Sequence, residues 1–395
     1  MSSNEKLVAV IAADAFSASA KVLEGLLDNP LALTKSPKKS LISASIQTLL
    51  SFKKCQKIYV LSKDDRILNA VKEEIIKNVY LSSSITEVKV RKLNPDRTHN
   101  YGDVLRYIDA QHTEEDSIIE DLGNEFIFIE GPYFKLCNGV VQALEQHRES
   151  VKYHRKTPTG FEPAMTLIFK KMQKLNGIQS YLFAEKSPSH RVLRYRQREE
   201  LKSKKVDMPV PYVNIKINQK NANIEYLTRT DLIQSHVSIV AKKTPIQYTE
   251  NPDFTDLGDI LATMLEKEEV MGLWTHAFIS QDQELEPLNS VCQLKSVTTR
   301  RLLSQSAGFD AATDSEYDST ASHSYLHKSS RVIDQTNVSK SWLAENVQVG
   351  QGTRITGSLI MKNSKIGTGC VLHDCYSALK NLKKNRISES SILWI

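Results

Sequence analysis

Two cysteines and a histidine near the end of the sequence form one arrangement of metal-binding residue types. Cys370, His373 and Cys375 lie within six positions of one another, and thiolates and imidazoles are common ligands of zinc. No second ligand pair follows at zinc spacing, so small buried residues of a repeat are favoured over a metal site. The five cysteines are scattered and odd in number, which is typical of unpaired thiols in a reducing compartment: Cys55, Cys137, Cys292, Cys370 and Cys375.

A basic stretch between Arg191 and Lys205 is the second candidate for chemistry. Its seven cations face two glutamates, a local charge of +5 beside a net charge of +6 for the 395 residues. Such a stretch can bind phosphate groups or RNA, but only Tyr195 could stack on a base. A solvated insertion or flexible loop is therefore favoured over RNA binding. The cations are Arg191, Arg194, Arg196, Arg198, Lys202, Lys204 and Lys205.

The elements that would position these residues alternate between two periodicities. Apolar runs predict buried strands at 7–12, 58–61, 85–90, 126–129, 165–169 and 231–240. Apolar residues at helical spacing predict helices at 41–50, 67–79, 104–108, 140–144 and 259–265. Continuous apolar strands alternating with helices indicate an α/β domain with a mostly parallel, Rossmann-like mixed sheet covered on both faces. We predict this domain over residues 1–290.

A different pattern follows a serine-rich segment. Residues 291–330 are predicted to be a linker because they hold many serines and few apolar residues. Apolar residues then recur at intervals of six, five, six and six among glycines, which predicts a short left-handed β-helix of hexapeptides over 331–395. The period breaks at 377–385 (SALKNLKKN), predicted to be a basic insertion. The recurring residues are Val349, Ile355, Ile360, Ile366 and Leu372.

Sugar-nucleotide pyrophosphorylases join a nucleotidyltransferase domain to a β-helix, and their chemistry requires two features that we do not find. A glycine-rich loop after the first strand lets backbone N–H groups approach a triphosphate, but residues 12–20 (AADAFSASA) contain no glycine. A carboxylate after a central strand holds the divalent metal, but here Gly131-Pro132 follows the strand. Glu130 lies one residue early, and strand alternation should aim it elsewhere. We therefore predict no catalytic residue, no cofactor and no metal, in a chain that is not an enzyme.

Hexapeptide acyltransferases are a further alternative, because they use a histidine as general base between subunits. His373 is the histidine within the regular repeats. A solvent-facing turn residue is favoured, given the preceding α/β domain and the small number of coils.

Several segments together resemble the epsilon subunit of translation initiation factor 2B, the guanine-nucleotide exchange factor for initiation factor 2. The strongest single match is 231–239 (DLIQSHVSI), and the order and spacing of the segments extend over most of the chain. The gamma subunit shares the architecture but keeps a glycine-rich first loop, so the loop favours epsilon. The other segments are 10–16, 101–110, 143–148, 165–170, 345–347, 364–370 and 393–394.

The resemblance implies a role in assembling the exchange complex and regulating translation initiation. The implied partners are other subunits of that complex, especially gamma, and initiation factor 2 itself. An Asn-Phe pair of the family helps to engage initiation factor 2. The matching segment here is Asn251, followed by Pro252, Asp253 and Phe254, so we expect an altered contact loop with Asn251, Asp253 and Phe254 as contact residues.

The family's exchange-catalysing helical domain follows the β-helix and is not among these 395 residues. The resemblance therefore implies that this chain supports exchange only within a complex, as a fragment, a short isoform, a gene-model truncation or a divergent paralogue. The polar first residues predict no secretory leader, and no apolar run reaches the roughly 18 residues of a membrane span. A cytosolic protein without a membrane partner is expected. An active nucleotidyltransferase and an RNA-binding adaptor stay as alternatives.

Overall fold

The computed structural model describes most of two compact units. One unit comprises residues 1–16 and 45–287, and the other comprises residues 17–44 and 288–395. The described residues are 7–16, 20–21, 24–25, 29–36, 39–52, 55–77, 86–110, 118–131, 138–156, 161–171, 180–186, 190–197, 225–281, 317–320, 324–377, 381–382, 387–389 and 392–393.

The first unit is built on a seven-stranded sheet with a three-stranded sheet beside it. Runs of Val, Ile, Leu and Phe form the central strands, which are buried over their whole length. The strands of this unit are β1 (Leu7–Ala12), β2 (Cys55–Ser62), β3 (Glu87–Lys92), β4 (Glu125–Glu130), β5 (Glu162–Lys171), β6 (Ser180–Glu185), β7 (Val192–Gln197), β8 (Tyr226–Arg229), β9 (Leu232–Ala241) and β10 (Leu273–Ser280).

The large sheet has the order β10-β5-β9-β4-β1-β2-β3. Strand β9 is antiparallel to β4 and β5, and the remaining pairings are parallel. The prediction of a mostly parallel mixed sheet is therefore confirmed. Strand β1 lies between β2 and β4, so the loop after Ala12 emerges beside the end of β4.

Helices cover this sheet where the apolar spacing predicts them. Asp64 begins α2 by accepting from the Arg66 N–H, and Asp256 begins α7 by accepting from Gly258 and Asp259. Val8, Val10, Phe126 and Phe128 pack in one core cluster with residues of α3, α6 and α7. None of the described helices has the length and apolar character needed to cross a membrane. The helices are α1 (Leu41–Ser51), α2 (Asp65–Ile76), α3 (Tyr101–Ala110), α4 (Ile118–Asp121), α5 (Asn138–Lys156), α6 (Thr244–Glu250), α7 (Leu257–Glu266) and α8 (Glu268–Met271).

The three-stranded sheet corrects the prediction for the basic stretch. Strand β6 pairs antiparallel with β7 and with β8. Strand β7 covers 192–197, so the first half of the stretch is an ordered strand rather than an insertion or loop. Arginines at alternate positions hide this strand from a search for continuous apolar runs. Residues 198–205 lie outside the described part.

The second unit contains a β-helix whose coils are 17 residues long. Trp342 pairs with Leu359, Gln348 with Lys365, and Arg354 with Val371, all in parallel register. The three faces are Ser324–His327, Trp342–Leu343, Leu359–Ile360, Tyr376–Ser377 and Ile392–Leu393; Arg331–Val332, Gln348–Val349, Lys365–Ile366 and Asn381–Leu382; and Asn337–Ser339, Arg354–Thr356, Val371–His373 and Ile387–Glu389. Tyr317–Thr320 adds an antiparallel strand to the first face.

Two boundaries of the predicted β-helix are corrected. Ser324–His327 pairs with Trp342–Leu343 inside the predicted linker 291–330, so the coils begin before residue 331. The predicted insertion 377–385 is also wrong. Asn381–Leu382 pairs with Lys365–Ile366, and the last coil is 16 residues long, one fewer than the others. Each face of a coil needs only one inward apolar residue, so most residues at the corners are polar. In the sequence, such polar residues resemble a linker or an insertion.

The second unit also includes residues 17–44, which the predicted domain 1–290 had assigned to the sheet. A 3-10 turn at Leu31–Leu33 precedes a two-stranded ribbon of Lys35–Ser36 and Lys39–Ser40. The Leu31 N–H donates to Glu24 Oε1 at 2.8 Å. The chain thus leaves the sheet unit after β1 and returns to it through α1.

Candidate functional site

The carboxyl edge of β1 and β4 is the place where an open parallel sheet usually binds ligands. Ala12 and Glu130 end these strands in register with each other. The Gly131 N–H then donates to the Ala12 carbonyl at 2.8 Å, with Gly131 at φ +91°. The pairing places residues 13–16 beside the end of β4. The predicted Gly131-Pro132 is only half described, since residue 132 lies outside the described part.

Asp14 ties the loop after β1 to the end of β2. Its carboxylate accepts from Ser62 Oγ at 2.8 Å and from the Lys63 N–H at 2.9 Å. The side chain is buried, and this desolvation raises the pKa of Asp14 despite the two donors. A glycine-free loop is therefore held by a side chain whose acceptors are already occupied.

Two aromatic rings pack against each other next to Asp14. The rings of Phe16 and Tyr101 meet edge to face at 4.9 Å, and Lys63 Nζ lies 5.2 Å from the centre of the Phe16 ring. The Tyr101 hydroxyl lies 3.5 Å from the Asp14 carbonyl oxygen, to which it donates. Side chains thus line the loop where a phosphate-binding loop presents bare backbone N–H groups.

Glu130 is the buried carboxylate of this edge, with 5% of its surface exposed. Its Oε2 lies 2.9 Å from His236 Nδ1, while no described residue hydrogen-bonds its Oε1. Burial raises the pKa of Glu130, and the hydrogen bond from His236 opposes this rise. The carboxylate therefore points to an imidazole, in keeping with the prediction that strand alternation would aim it away from a phosphate.

His236 reaches Glu130 because β9 is irregular at this point. It adopts φ +57°, and the register of β9 against β5 shifts between Gln234 and Ser238. Ser235 Oγ donates to the Ile168 carbonyl at 2.8 Å and holds the bulge in place. His236 was not predicted as a site residue, because nothing in an apolar strand marks a bulge. The resemblance segment 231–239 contains it.

The segment 251–254 forms a tight loop whose backbone is held by Arg106. The Arg106 guanidinium donates to the carbonyls of Tyr248 at 2.8 Å, Pro252 at 2.6 Å and Phe254 at 2.8 Å. It also reaches the Asn251 carbonyl at 3.2 Å. One cation on α3 thereby contacts four carbonyl groups of α6 and its following loop.

The predicted contact residues differ in how much surface they offer. Asp253 is exposed and Asn251 is half-buried, with its Nδ2 donating to the Gln247 carbonyl at 2.9 Å. Phe254 is only 8% exposed and packs edge to face on Tyr248. Asp253 is thus the side chain of the three that a partner could reach most directly. That these residues bind a partner stays a prediction.

Three buried histidines form a second cluster, between α5 and the edge strand β10. The ring of His276 lies 6.2 Å from that of His147 and 5.2 Å from that of His154. His147 Nδ1 lies 2.9 Å from Thr166 Oγ1, whereas no described residue hydrogen-bonds either nitrogen of His154. Burial lowers the pKa of His147 and of His154 to about 4, and that of His276 well below its usual value.

Parts of the predicted basic stretch are engaged in packing. The Arg191 guanidinium lies over the Trp274 ring at 4.4 Å. Tyr195 packs on Phe169 and donates its hydroxyl to Gln234 Oε1 at 3.3 Å. The one aromatic side chain that could have stacked on a base is therefore held against the protein core, which disfavours the RNA-binding alternative for this stretch.

The cysteines of the β-helix are packed inside its coils. Cys370 and Cys375 are buried free thiols, and the Cys375 thiol donates to the His373 carbonyl at 3.2 Å. His373 itself is exposed. No group of three or more His, Cys, Asp or Glu suited to a metal ion occurs among the described residues. Cys137 and Cys292 lie outside them.

Comparison with known proteins supports the hexapeptide-repeat region. Residues 307–377 match the family described as GlmU-like, C-terminal hexapeptide. The chain is also similar to a solved CMP:2-keto-3-deoxy-manno-octonic acid synthetase complexed with CTP, at 12% identity and a TM-score of 0.44, over 76% of this chain and 99% of that one. The chain thus combines a mixed α/β sheet with a hexapeptide-repeat region whose parallel strands are consistent with a left-handed β-helix.

Proposed function

We propose that this protein is a non-catalytic subunit of the guanine-nucleotide exchange complex for translation initiation factor 2. The observation that carries the proposal is the Glu130–His236 pair at the carboxyl edge of the sheet. A nucleotidyltransferase needs a solvent-facing carboxylate there to hold the metal of its nucleotide substrate. Here the buried carboxylate binds an imidazole of its own chain.

The loop after β1 supports the same conclusion. The Asp14 carboxylate accepts hydrogen bonds from Ser62 and Lys63. The rings of Phe16 and Tyr101 pack beside it. A triphosphate in this position would have to displace packed side chains that supply no N–H donors of their own. The sheet unit thus retains a nucleotidyltransferase-like fold, with its ligand edge closed by protein contacts.

The resemblance to the epsilon subunit supplies the partners in this proposal. The β-helix would associate with the gamma subunit, and the loop held by Arg106 would contact initiation factor 2 through Asp253. Rigid presentation suits such a contact, because a loop that is already ordered loses little entropy on binding. Only the fold and the hexapeptide repeat support the alternative, a sugar-nucleotide pyrophosphorylase.

Co-expression with the gamma subunit provides the first test. We expect the two chains to co-purify as a complex with a defined mass in sedimentation, and the complex to bind purified initiation factor 2. An Asp253→Lys variant should weaken binding to initiation factor 2 but leave the association with gamma unchanged. Asp318→Lys, an exposed aspartate of the second unit, is the matched control. Failure to associate with gamma would overturn the proposal.

Nucleotide binding discriminates between the proposal and its alternative. We expect no change in the thermal unfolding midpoint when nucleoside triphosphate and magnesium are added. A ligand at about 100 times its Kd would stabilise the fold by about 2.7 kcal/mol, which such a measurement detects readily. A magnesium-dependent increase of that size would instead favour an active nucleotidyltransferase.

A further inference from the structure

The net charge of the protein is concentrated in the β-helix. Residues 324–395 contain ten lysines and arginines against four aspartates and glutamates, which equals the net charge of +6 for the whole chain. The other 323 residues hold 42 cations and 42 anions. The basic stretch 191–205 is thus balanced by acids elsewhere in residues 1–323, whereas the β-helix is not.

Part of this charge forms a ladder on one face of the coils. Arg331 pairs with Gln348 and Gln348 pairs with Lys365, so the three side chains stack at the same position of successive coils. All three are exposed. Parallel strands lie about 4.8 Å apart, which places the two cations about 10 Å from each other along the axis. Exposed Lys328 and Lys362 occupy the adjoining corner, two coils apart.

These cations have no acidic partner within the described part of the chain. Ion pairs fix many cations of the sheet unit, such as Lys57 with Asp121 and Arg148 with Glu125. No comparable pair with a described residue involves Arg331, Lys365, Lys328 or Lys362. Glu345 is the acid of the corner coil between the two lysines. The ladder and its corner therefore carry four cations against one acid, Glu345.

The corner also offers amide groups. Asn346 and Asn363 both adopt the left-handed conformation, and Asn346 Nδ2 donates to Asn363 Oδ1 at 3.4 Å. Both are exposed and lie between the lysine corner and the arginine ladder. Amide and ammonium donors in one row are suited to carboxylate oxygens, which accept from both.

We propose that the face formed by Arg331, Gln348 and Lys365, with the corner of Lys328 and Lys362, binds an acidic segment of a partner protein. A strand or helix places its carboxylates about 5–7 Å apart, within the reach of long side chains spaced at one or two coils. Charge complementarity thus selects the partner. A single-stranded nucleic acid fits less well, because these positions carry no aromatic ring on which a base could stack.

The test uses the full chain and a fluorescein-labelled poly-L-glutamate peptide as the probe, with fluorescence anisotropy as the readout. We expect binding that weakens as salt rises from about 50 to 200 mM, because exposed charges are screened. The double variant Arg331→Glu/Lys365→Glu should lower the affinity by about 10-fold. The double variant Lys72→Glu/Lys152→Glu changes the net charge equally at exposed lysines of the sheet unit and should lower it by less than about 3-fold.

Each outcome decides the proposal. Equal losses in the two double variants would show that overall charge, not the ladder, attracts the probe. Tighter binding of a duplex RNA with matched charge than of poly-L-glutamate would overturn the choice of an acidic protein. The thermal unfolding midpoint of each variant is measured in parallel, and an unchanged midpoint excludes loss of folding as the cause.

Discussion

The sheet unit and the β-helix join residues over very different distances along the chain. At the sheet edge, His236 binds Glu130 across 106 positions, and Ser62 binds Asp14 across 48. In the β-helix the corner bonds join residues 17 apart, as when Ser324, Ser341, Ser358 and Cys375 stack through successive N–H to Oγ bonds. The carboxyl edge of the sheet is held by single, irregular contacts, whereas the β-helix repeats one contact.

This difference determines how each region should respond to substitution. In the sheet unit each side chain has a unique environment. No equivalent position shows which other residue could be accommodated there. In the β-helix the equivalent position of a neighbouring coil is often occupied by a different residue. The free energy of unfolding is close to a sum of contributions from each coil and its neighbours. We therefore expect large, position-specific effects in the sheet unit and small, transferable effects in the β-helix.

The largest effect is expected at Gly102, where α3 meets the loop 251–254. A Cβ atom there would clash with the Phe254 carbonyl oxygen. The Gly102 N–H also donates to the Thr255 carbonyl at 2.7 Å, so the backbones cannot separate without losing a hydrogen bond. We expect Gly102→Ala to reduce the free energy of unfolding by about 4 kcal/mol, measured by urea denaturation. A loss below about 1 kcal/mol would contradict this close approach.

The next effect comes from acidification and should be specific to the sheet unit. The unfolded state protonates its histidines at a pKa near 6.5, whereas burial lowers the pKa of folded His147 and His154 to about 4. The unfolded state therefore binds more protons in this interval, and stability should fall as the pH falls from about 6.5 to 4. His147 alone should contribute about 3 kcal/mol of this loss at pH 4.

A substitution isolates the histidine contribution. His147→Asn keeps a polar contact with Thr166 and removes the titration, so its unfolding free energy should depend less steeply on pH. His373→Asn is the matched control, because His373 is exposed in the β-helix. Arg148, Arg191, Glu149 and His190 are the other titratable groups that interact with the cluster, and they stay unchanged. Parallel pH curves for the wild type and His147→Asn would contradict the assignment.

A smaller effect, of opposite sign with pH, is expected at the sheet edge. The pKa of folded Glu130 is raised, so the folded state keeps its proton longer and loses stability as the pH rises from about 4.5 through that raised pKa. Glu130→Gln should abolish this loss. His236→Ala should cost about 2 kcal/mol at neutral pH, because it removes the donor to a buried carboxylate. Urea denaturation at several pH values measures the free energy of unfolding of both variants. If His236→Ala were more stable than the wild type, the Glu130–His236 pair would not stabilise the fold. Asp256 and Tyr248 also interact with Glu130.

The same difference in contact distance explains which features the sequence could predict. Apolar periodicity located β1, β2 and β4 and the inward stack of the coils, because these depend on residues close in the chain. It missed β10, whose eight residues include the polar Thr275, His276 and Ser280, and it missed the assignment of residues 17–44 to the second unit. The Glu130–His236 pair depends on a bulge and on strand order, which no local pattern encodes.

The smallest effect on the free energy of unfolding is expected at a corner of the β-helix, where three successive coils place different residues at the same position. Gln335, Gly352 and Gly369 occupy equivalent corners at φ +65°, +69° and +65°. Gly352 has nothing within 4 Å of an added Cβ atom, so any cost must come from the backbone alone. Asn enters the left-handed conformation more readily than other non-glycine residues, and it does so here at Asn346 and Asn363.

We therefore expect Gly352→Asn to change the free energy of unfolding by less than about 0.5 kcal/mol. Gly352→Val should cost about 2 kcal/mol, because a β-branched residue resists positive φ. Urea denaturation of both variants tests this, and equal costs for Asn and Val would show that the corner is limited by space rather than by backbone conformation.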